Sequence, residues 1–216
     1  MTRVVKRADV RRDEIMDAAE RLFVAKGYAA TTINDLLDAT GIARGTLYHH
    51  FSSKEQVLDG LIRRQGDRLL AAVEAVAASE GPALPKLAAC VASLAPQDDE
   101  QTRLIGELSG AGDAVMFHKS QDDIVLRLAP VVAKVVEQGV AEGVLHTDTP
   151  LTAVRVLLAA AHALFDNPGL AWTPQEHREL AFGLVDAAER VLGAKSGSLA
   201  SVVVGIAAVR DAWEPK

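Results

Sequence analysis

The stretch "TTINDLLDATGIARGTLYHHF", residues 31–51, decides the fold of the N-terminal part of the chain. Its two opening threonines are N-cap residues ahead of a short apolar pattern, and Gly41 can take the positive φ that ends a helix sharply. A second short helix is predicted over roughly 43–50. Two short helices joined by a turn around a glycine form a helix-turn-helix, at about residues 32–51, whose second helix fits the major groove of DNA.

The flanking segments are predicted to brace this motif. Apolar residues recur at helical spacing from Asp9 to Lys26, which predicts an amphipathic helix before the motif. After the motif, Ser52 and Glu55 stand three residues apart as a capping box that opens a longer helix. The apolar Leu47 and Phe51 side chains are then assigned to the core of the head.

The rest of the chain continues in helical periodicity beyond a break at Gly81 and Pro82. Further helices are predicted over 83–95, 100–116, 119–142, 150–166, 174–193 and 198–212. The last segment is rich in β-branched residues, so a buried helix and a strand both remain open there. The predicted fold is all-α, with an N-terminal arm and three-helix DNA-binding head over residues 1–55 and a larger helical body over residues 56–216.

The net charge of −6 is distributed unevenly. Residues 1–68 contain 12 Lys and Arg against 10 Asp and Glu, whereas the remaining residues contain 11 against 19. Five of the cations lie within the first twelve residues, opposed by a single acidic residue, Asp9. Such a run is either a solvated tail or an arm that contacts phosphates.

Composition bounds the remaining classes of protein. Apolar residues make up 49% of the 216 residues, which is enough for a substantial core. The single cysteine, Cys90, excludes an intrachain disulfide and is expected to be a buried hydrophobe. The sequence shows neither an apolar run long enough for a membrane span nor a secretion signal, so we expect a cytoplasmic protein without membrane contact.

Enzymatic and metal-binding patterns are weak. Adjacent His49 and His50 point about 100° apart on a helix and are poor ligands for one metal. His118 and Asp122 share a helical face, but spacing identifies no third ligand. No nucleophile elbow or phosphate-cradling loop is present. We therefore expect no catalytic residues, no metal and no cofactor.

The segment from Ala18 to Leu58, "AAERLFVAKGYAATTINDLLDATGIARGTLYHHFSSKEQVL", resembles the TetR family of bacterial transcriptional regulators, most densely in "GTLYHHFSSKE". The similarity is strong over about the first 60 residues, and the body resembles the family in length and all-helical pattern alone. The chain differs at Ala43, where many members carry Ser or Thr. The side chain at this position cannot cap a helix or donate to a phosphate.

The resemblance implies contacts with double-stranded operator DNA, and the side-chain chemistry agrees. Arg44 can bind guanine O6 and N7 through two hydrogen bonds, and Gly45 permits close approach of the backbone. Thr32 and Lys54 lie at the starts of two predicted helices, where the hydroxyl of one and the ammonium group of the other favour a phosphate contact. For His50, packing and a phosphate contact both remain open. The predicted DNA-contacting residues are Thr32, Arg44, Gly45, Thr46, Tyr48, His49 and Lys54.

The resemblance also implies a homodimer and a small-molecule effector. The dimer contact is expected through the helices over 150–166 and 174–193. An effector would favour a body conformation in which the helix beginning near Lys54 moves the two heads out of register with DNA. Residues that combine apolar area with a few polar groups are the candidates for the effector pocket: Arg103, Met116, Phe117, His118, Phe165 and Trp172.

These observations together predict a ligand-responsive, dimeric, DNA-binding transcriptional regulator. The simplest form is a repressor that a small molecule releases from its operator. An activator or a co-repressor-dependent regulator of the same fold is an alternative that the sequence does not separate from repression. An all-α small-molecule-binding protein or enzyme is a second alternative.

Overall fold

The computed structural model describes residues 8–94, 103–104, 114–165, 170 and 172–200, with the backbone alone for residues 8 and 114–124. The fold is all-α, with an N-terminal helix-turn-helix head, as predicted. The first helices are α1 (Ala8–Lys26), α2 (Ile33–Thr40), α3 (Arg44–His50) and α4 (Lys54–Ala78). They are followed by α5 (Ala83–Ala92), α6 (Ala114–Ala141), α7 (Pro150–Phe165) and α8 (Pro174–Val191).

Most predicted helix boundaries agree with the structure to within a few residues. The helix predicted over 119–142 is the exception, because α6 begins at Ala114. Neither glycine nor proline occurs between residues 114 and 119, so nothing in the backbone stops the helix there. Most of the segments predicted as helices over 100–116 and 198–212 lies outside the described residues.

The chain divides into two compact units, residues 1–66 with 98–120 and residues 67–97 with 121–216. The first half of α4 belongs to the first unit because its apolar side chains lie in the core of the head. The predicted boundary at residue 55, which separates the DNA-binding head from the helical body, remains a prediction. The core of the head includes Ile15, Phe23, Leu36, Leu47, Phe51, Val57 and Leu61, each at most 1% exposed.

Two contacts fix α4 against the rest of the head. A Cβ at Gly60 would lie 3.1 Å from a ring carbon of Phe51, so this glycine permits the close approach of helix to core. Arg64 reaches across to α1, where its guanidinium pairs with Asp17 at 2.6 Å and with Glu20. Burial of a side chain such as Phe51 stabilises a fold by roughly 1.5–3 kcal/mol. The close approach of Gly60 to Phe51 and the ion pairs of Arg64 together hold α4 in position within the head.

The cap at the start of α4 differs from the predicted one. The prediction paired Ser52 with Glu55, but the backbone N–H of Gln56 donates to Ser53 Oγ at 3.3 Å. The side chain of Gln56 in turn accepts from the backbone N–H of Ser52 at 2.9 Å. The predicted register was therefore wrong by one residue, and Ser53 occupies the N-cap position.

The second unit has its own apolar core, and Cys90 lies in it, 2% exposed, as predicted. Burial raises the pKa of the Cys90 thiol. The carboxylate of Glu189 is also buried and accepts from the backbone N–H groups of Gly197, at 2.9 Å, and Leu199, at 2.8 Å. A buried charge that is satisfied by backbone donors stabilises one conformation, so Glu189 fixes the turn that follows α8.

Candidate nucleic-acid interface

The turn between α2 and α3 has the backbone geometry of a helix-turn-helix. Gly41 ends α2 with φ of 64° and donates its N–H to Leu37 O at 2.8 Å, as the sequence predicted for this glycine. Ala43 occupies the N-cap of α3 and offers no side-chain hydrogen bond. The first N–H groups of α3 are therefore left without a side-chain cap from this residue.

The two faces of α3 have opposite characters. Leu47 is fully buried, whereas Arg44, Gly45 and His49 are exposed and Tyr48 is 44% exposed. In the described part of the chain, no atom outside the local backbone lies within 4 Å of the position that a Cβ on Gly45 would take. The fold itself therefore does not require glycine at this position. The outer face of α3 presents a cation, an aromatic hydroxyl and an imidazole to solvent, with Thr46 half-buried beside them.

Arg44 has a partner that sequence reasoning missed. Its Nη2 donates to Asn34 Oδ1 at 2.6 Å, which joins α3 to α2 through two exposed side chains. The residues are ten apart in sequence, so helical spacing does not bring them together. Asn34 occupies an exposed helical position of a kind that usually carries a solvated polar residue, so this contact could not be predicted from the sequence.

The hydroxyl of Thr32 is engaged in a capping box at the start of α2. Thr32 Oγ1 donates to Asp35 Oδ2 at 2.6 Å and accepts from Asp35 N at 3.2 Å. The hydrogen bond from Lys26, at 2.5 Å, is the largest of the interactions that hold the pKa of the Asp35 carboxyl far below its usual range, followed by those from Thr32. The carboxylate of Asp35 thus lies at the α2 N-terminus, where an external phosphate was expected to bind.

Lys54 is likewise engaged within the head. Its Nζ donates to Tyr28 O at 2.9 Å and to Thr31 O at 3.0 Å, and it lies 4.1 Å from the centre of the Tyr28 ring. These contacts tie the first turn of α4 to the segment that precedes α2. An ammonium group has three N–H donors, so one remains for a phosphate.

A group of basic side chains lies where α3 ends beside the start of α1. Arg12 lies 4.3 Å from the centre of the Phe51 ring, and its Nη1 donates to His50 O at 3.4 Å. The rings of His49 and His50 are 5.3 Å apart. Burial lowers the pKa of the His50 imidazole, and the charges of His49, Arg12 and Arg11 lower it further. His50 therefore favours its neutral form unless a negative charge approaches.

The structure describes only part of the predicted effector set. Arg103 is exposed, and the side chains of Met116, Phe117 and His118 lie outside the described residues. Phe165 and Trp172 do lie near the end of α7, where Trp172 Nε1 donates to Leu164 O at 2.9 Å. The Phe165 ring packs edge-on against His177, with ring centres 4.8 Å apart. Their roles in ligand binding remain predictions.

Helices α7 and α8 pack on one another and leave apolar side chains exposed. Val156 on α7 is 56% exposed and Phe182 on α8 is 60% exposed. On the inner sides of these helices, Ala153 is buried in the core of the second unit and Ala188 packs against that core. Among the residues that the structure describes, no atom lies within 4 Å of the position that a Cβ on Gly183 would take, apart from the local backbone. Exposed apolar area of this kind favours association with another surface.

Two further features concern the described residues as a whole. None of their helices is long and apolar enough to cross a membrane. They also contain no group of three or more His, Cys, Asp or Glu side chains that could hold a metal ion.

Comparison with known proteins agrees with this architecture. Residues 15–61 match the family described as "Bacterial regulatory proteins, tetR family", and residues 98–184 match a family described as "Tetracyclin repressor-like, C-terminal domain". The first match covers α2, α3 and the first turns of α4. The two matches together cover the head from residue 15 onward and a large part of the second half of the chain.

Relatives and solved structures extend the likeness. The HTH-type transcriptional repressor KstR2 of Mycobacterium tuberculosis is 39% identical over 87 residues, which are 40% of this chain and 44% of that protein. KstR2 of Rhodococcus jostii is 45% identical over 69 residues, 32% of this chain and 34% of that protein. The matches thus span less than half the length of these curated relatives.

Among solved structures, Salmonella enterica GusR has a TM-score of 0.63 at 21% identity, over 88% of this chain and 98% of that one. A structure titled as the SmeT–triclosan complex has a TM-score of 0.58 at 20% identity, over 88% of this chain and 94% of that one. These likenesses show a shared fold over most of the length. With the head geometry and both family matches in agreement, the chain belongs to the TetR family of bacterial regulatory proteins.

Proposed function

We propose that the protein is a dimeric, DNA-binding transcriptional regulator, and specifically a repressor that a small molecule releases from its operator. The observation that carries the proposal is the polar outer face of α3, which projects from a helix-turn-helix whose other face is buried. That the KstR2 relatives are named repressors supports repression over activation. A protein that binds bacterial DNA works in the cytoplasm, where we place it.

On this proposal, α3 enters the major groove. Arg44 donates to a guanine edge, Gly45 allows the backbone to approach, and Thr46, Tyr48 and His49 contact bases or phosphates. For Thr32 and Lys54 the contacts within the head favour a positioning role at the α2 N-terminus, although the third N–H of Lys54 could still reach a phosphate. These two roles of Lys54 predict different salt dependences.

The direct test compares Arg44→Ala and Arg44→Lys on the DNA beside the protein's own gene and on a scrambled duplex. Arg44→Ala should cost about 1–3 kcal/mol on the operator and less on scrambled DNA. Arg44→Lys keeps the charge but loses the planar fork, so it should recover nonspecific binding and not base preference. Equal losses on both duplexes for Arg44→Ala would show a phosphate contact instead.

The exposed apolar side chains of α7 and α8 support a second part of the proposal, that these helices form the contact between two copies. A single helix-turn-helix reads too few base pairs to be selective, and a symmetric dimer doubles the site. Phe182→Arg places a charge in this contact, so it should weaken self-association and operator binding together. Ala75→Arg, which places the same charge at an exposed position on α4, is the matched control. A wild-type monomer at micromolar concentration by light scattering would contradict the dimer.

An effector is proposed to act through linkage between its site and DNA. A ligand shifts an equilibrium only by its preference for one state, so an inducer should bind free protein more tightly than operator-bound protein. The factor by which operator DNA weakens ligand binding must equal the factor by which the ligand weakens operator binding. Phe165→Ala and Trp172→Ala should weaken the response while DNA binding is retained. Unchanged responses in both variants would remove these residues from the proposed pocket.

A further inference from the structure

The hydrogen bond between Arg44 and Asn34 fixes the side chain on which base preference is proposed to depend. Arg44 Nη2 donates to Asn34 Oδ1 at 2.6 Å, and both side chains are exposed. Arg44 is the first residue of α3, so few neighbours on its own helix restrict its long side chain. The contact from α2 therefore supplies a restraint that α3 alone does not.

The chemistry of this pair suits a residue that must still bind something else. A guanidinium has five N–H donors, and Asn34 takes one of them, so two parallel donors remain for the O6 and N7 atoms of guanine. Asn34 is neutral, so it orients the cation without cancelling its charge. A carboxylate at this position would compete with DNA for the same group.

We propose that Asn34 is a positioning residue that sets the direction of the Arg44 guanidinium and so sharpens the preference for guanine at one base pair of each half-site. This inference rests on the proposed function, in which Arg44 reads a base. Holding a flexible arginine in its binding geometry lowers the entropy lost on binding. The immobilisation of one such side chain corresponds to roughly a 2- to 10-fold change in affinity.

The test is a double-mutant cycle between Asn34→Ala and Arg44→Ala, with dissociation constants measured on the operator, on an operator with the guanine replaced, and on scrambled DNA. Asn34→Ala should weaken operator binding about 2- to 10-fold and reduce the preference for guanine at that base pair. In the Arg44→Ala background, Asn34→Ala should leave the dissociation constant on the operator unchanged. The salt dependence should not change, because no charge is removed. The urea midpoint should also stay constant, because Asn34 is exposed.

Two outcomes would overturn the inference while leaving the proposed function intact. If Asn34→Ala had no effect in either background, the hydrogen bond would have no role in binding. If it weakened binding equally in both backgrounds, Asn34 would contact DNA itself. By contrast, an Arg44→Ala variant with unchanged base preference would contradict the assignment of Arg44 in the proposed function, and with it the premise of the inference.

Discussion

Lys54→Met is expected to destabilise the head by about 2–4 kcal/mol. The change removes an ammonium group that donates to two backbone carbonyls, at 2.9 and 3.0 Å, and that lies 4.1 Å from the Tyr28 ring centre. Hydrogen bonds from charged donors contribute roughly 1.5–3 kcal/mol each, and a cation–π contact roughly 0.5–2 kcal/mol. These contributions sum to roughly 3.5–8 kcal/mol. Because the site is only partly buried, water replaces some of this bonding, and a loss of about half the summed range is expected.

Urea unfolding followed by circular dichroism measures this loss. Lys195→Met is the matched control, since the same chemical change at an exposed lysine should shift stability by no more than about 0.5 kcal/mol. Salt titration of DNA binding then separates the two roles of Lys54. A positioning role weakens binding without changing the slope of log affinity against log salt, whereas a lost phosphate contact lowers the slope by about 0.9. A Lys54→Met variant as stable as wild type would refute the positioning role.

Three further changes test other parts of the structure. Gly45→Ala should stabilise α3 by up to about 1 kcal/mol, yet weaken operator binding if DNA approaches the backbone there; tighter or equal binding in an anisotropy titration would contradict close approach. Gly193→Ala should destabilise the second unit in urea unfolding, because its φ is 60° and a Cβ would lie 2.3 Å from His146 O. For His50, whose pKa is lowered by burial, nearby phosphate should favour protonation, so operator affinity should rise as pH falls from about 7.5 to 6. Stability should fall over the same range, because the folded state favours the neutral imidazole; His50→Gln should flatten both pH profiles.

The helices and the head core were predictable from sequence, whereas the tertiary polar contacts were not. Periodicity assigned Leu47 and Phe51 to the core because helical spacing alone puts them on one face. The cap of α4 was ambiguous by nature, since Ser52 and Ser53 are each followed three residues later by a Glu or Gln. Backbone geometry selects Ser53, and no local pattern encodes that choice.

The partners of Arg44 and Lys54 illustrate the same limit at the candidate site. Each contact joins residues from different helices or turns, so its existence depends on packing between elements and on side-chain rotamers. Sequence reasoning placed both cations at the DNA-facing end of the head but had no means to find Asn34 or the carbonyls of Tyr28 and Thr31. The predicted effector residues depend still more on convergence in space, and their assignment remains a prediction.

The polar contacts also change how the head is expected to attract DNA. The α2 N-terminus is a natural site for phosphate, but the carboxylate of Asp35 already lies there and neutralises Lys26. Much of the electrostatic attraction to DNA must then come from elsewhere on the head. Arg44 and the basic side chains around Arg12 are positioned to provide it. Because few cations among the described residues of the head are placed to face the duplex, these residues should by themselves give weak binding with modest salt dependence. Selective binding would then depend on base contacts and on two heads acting together, which makes the α7 and α8 surface as necessary to the proposed function as α3 itself.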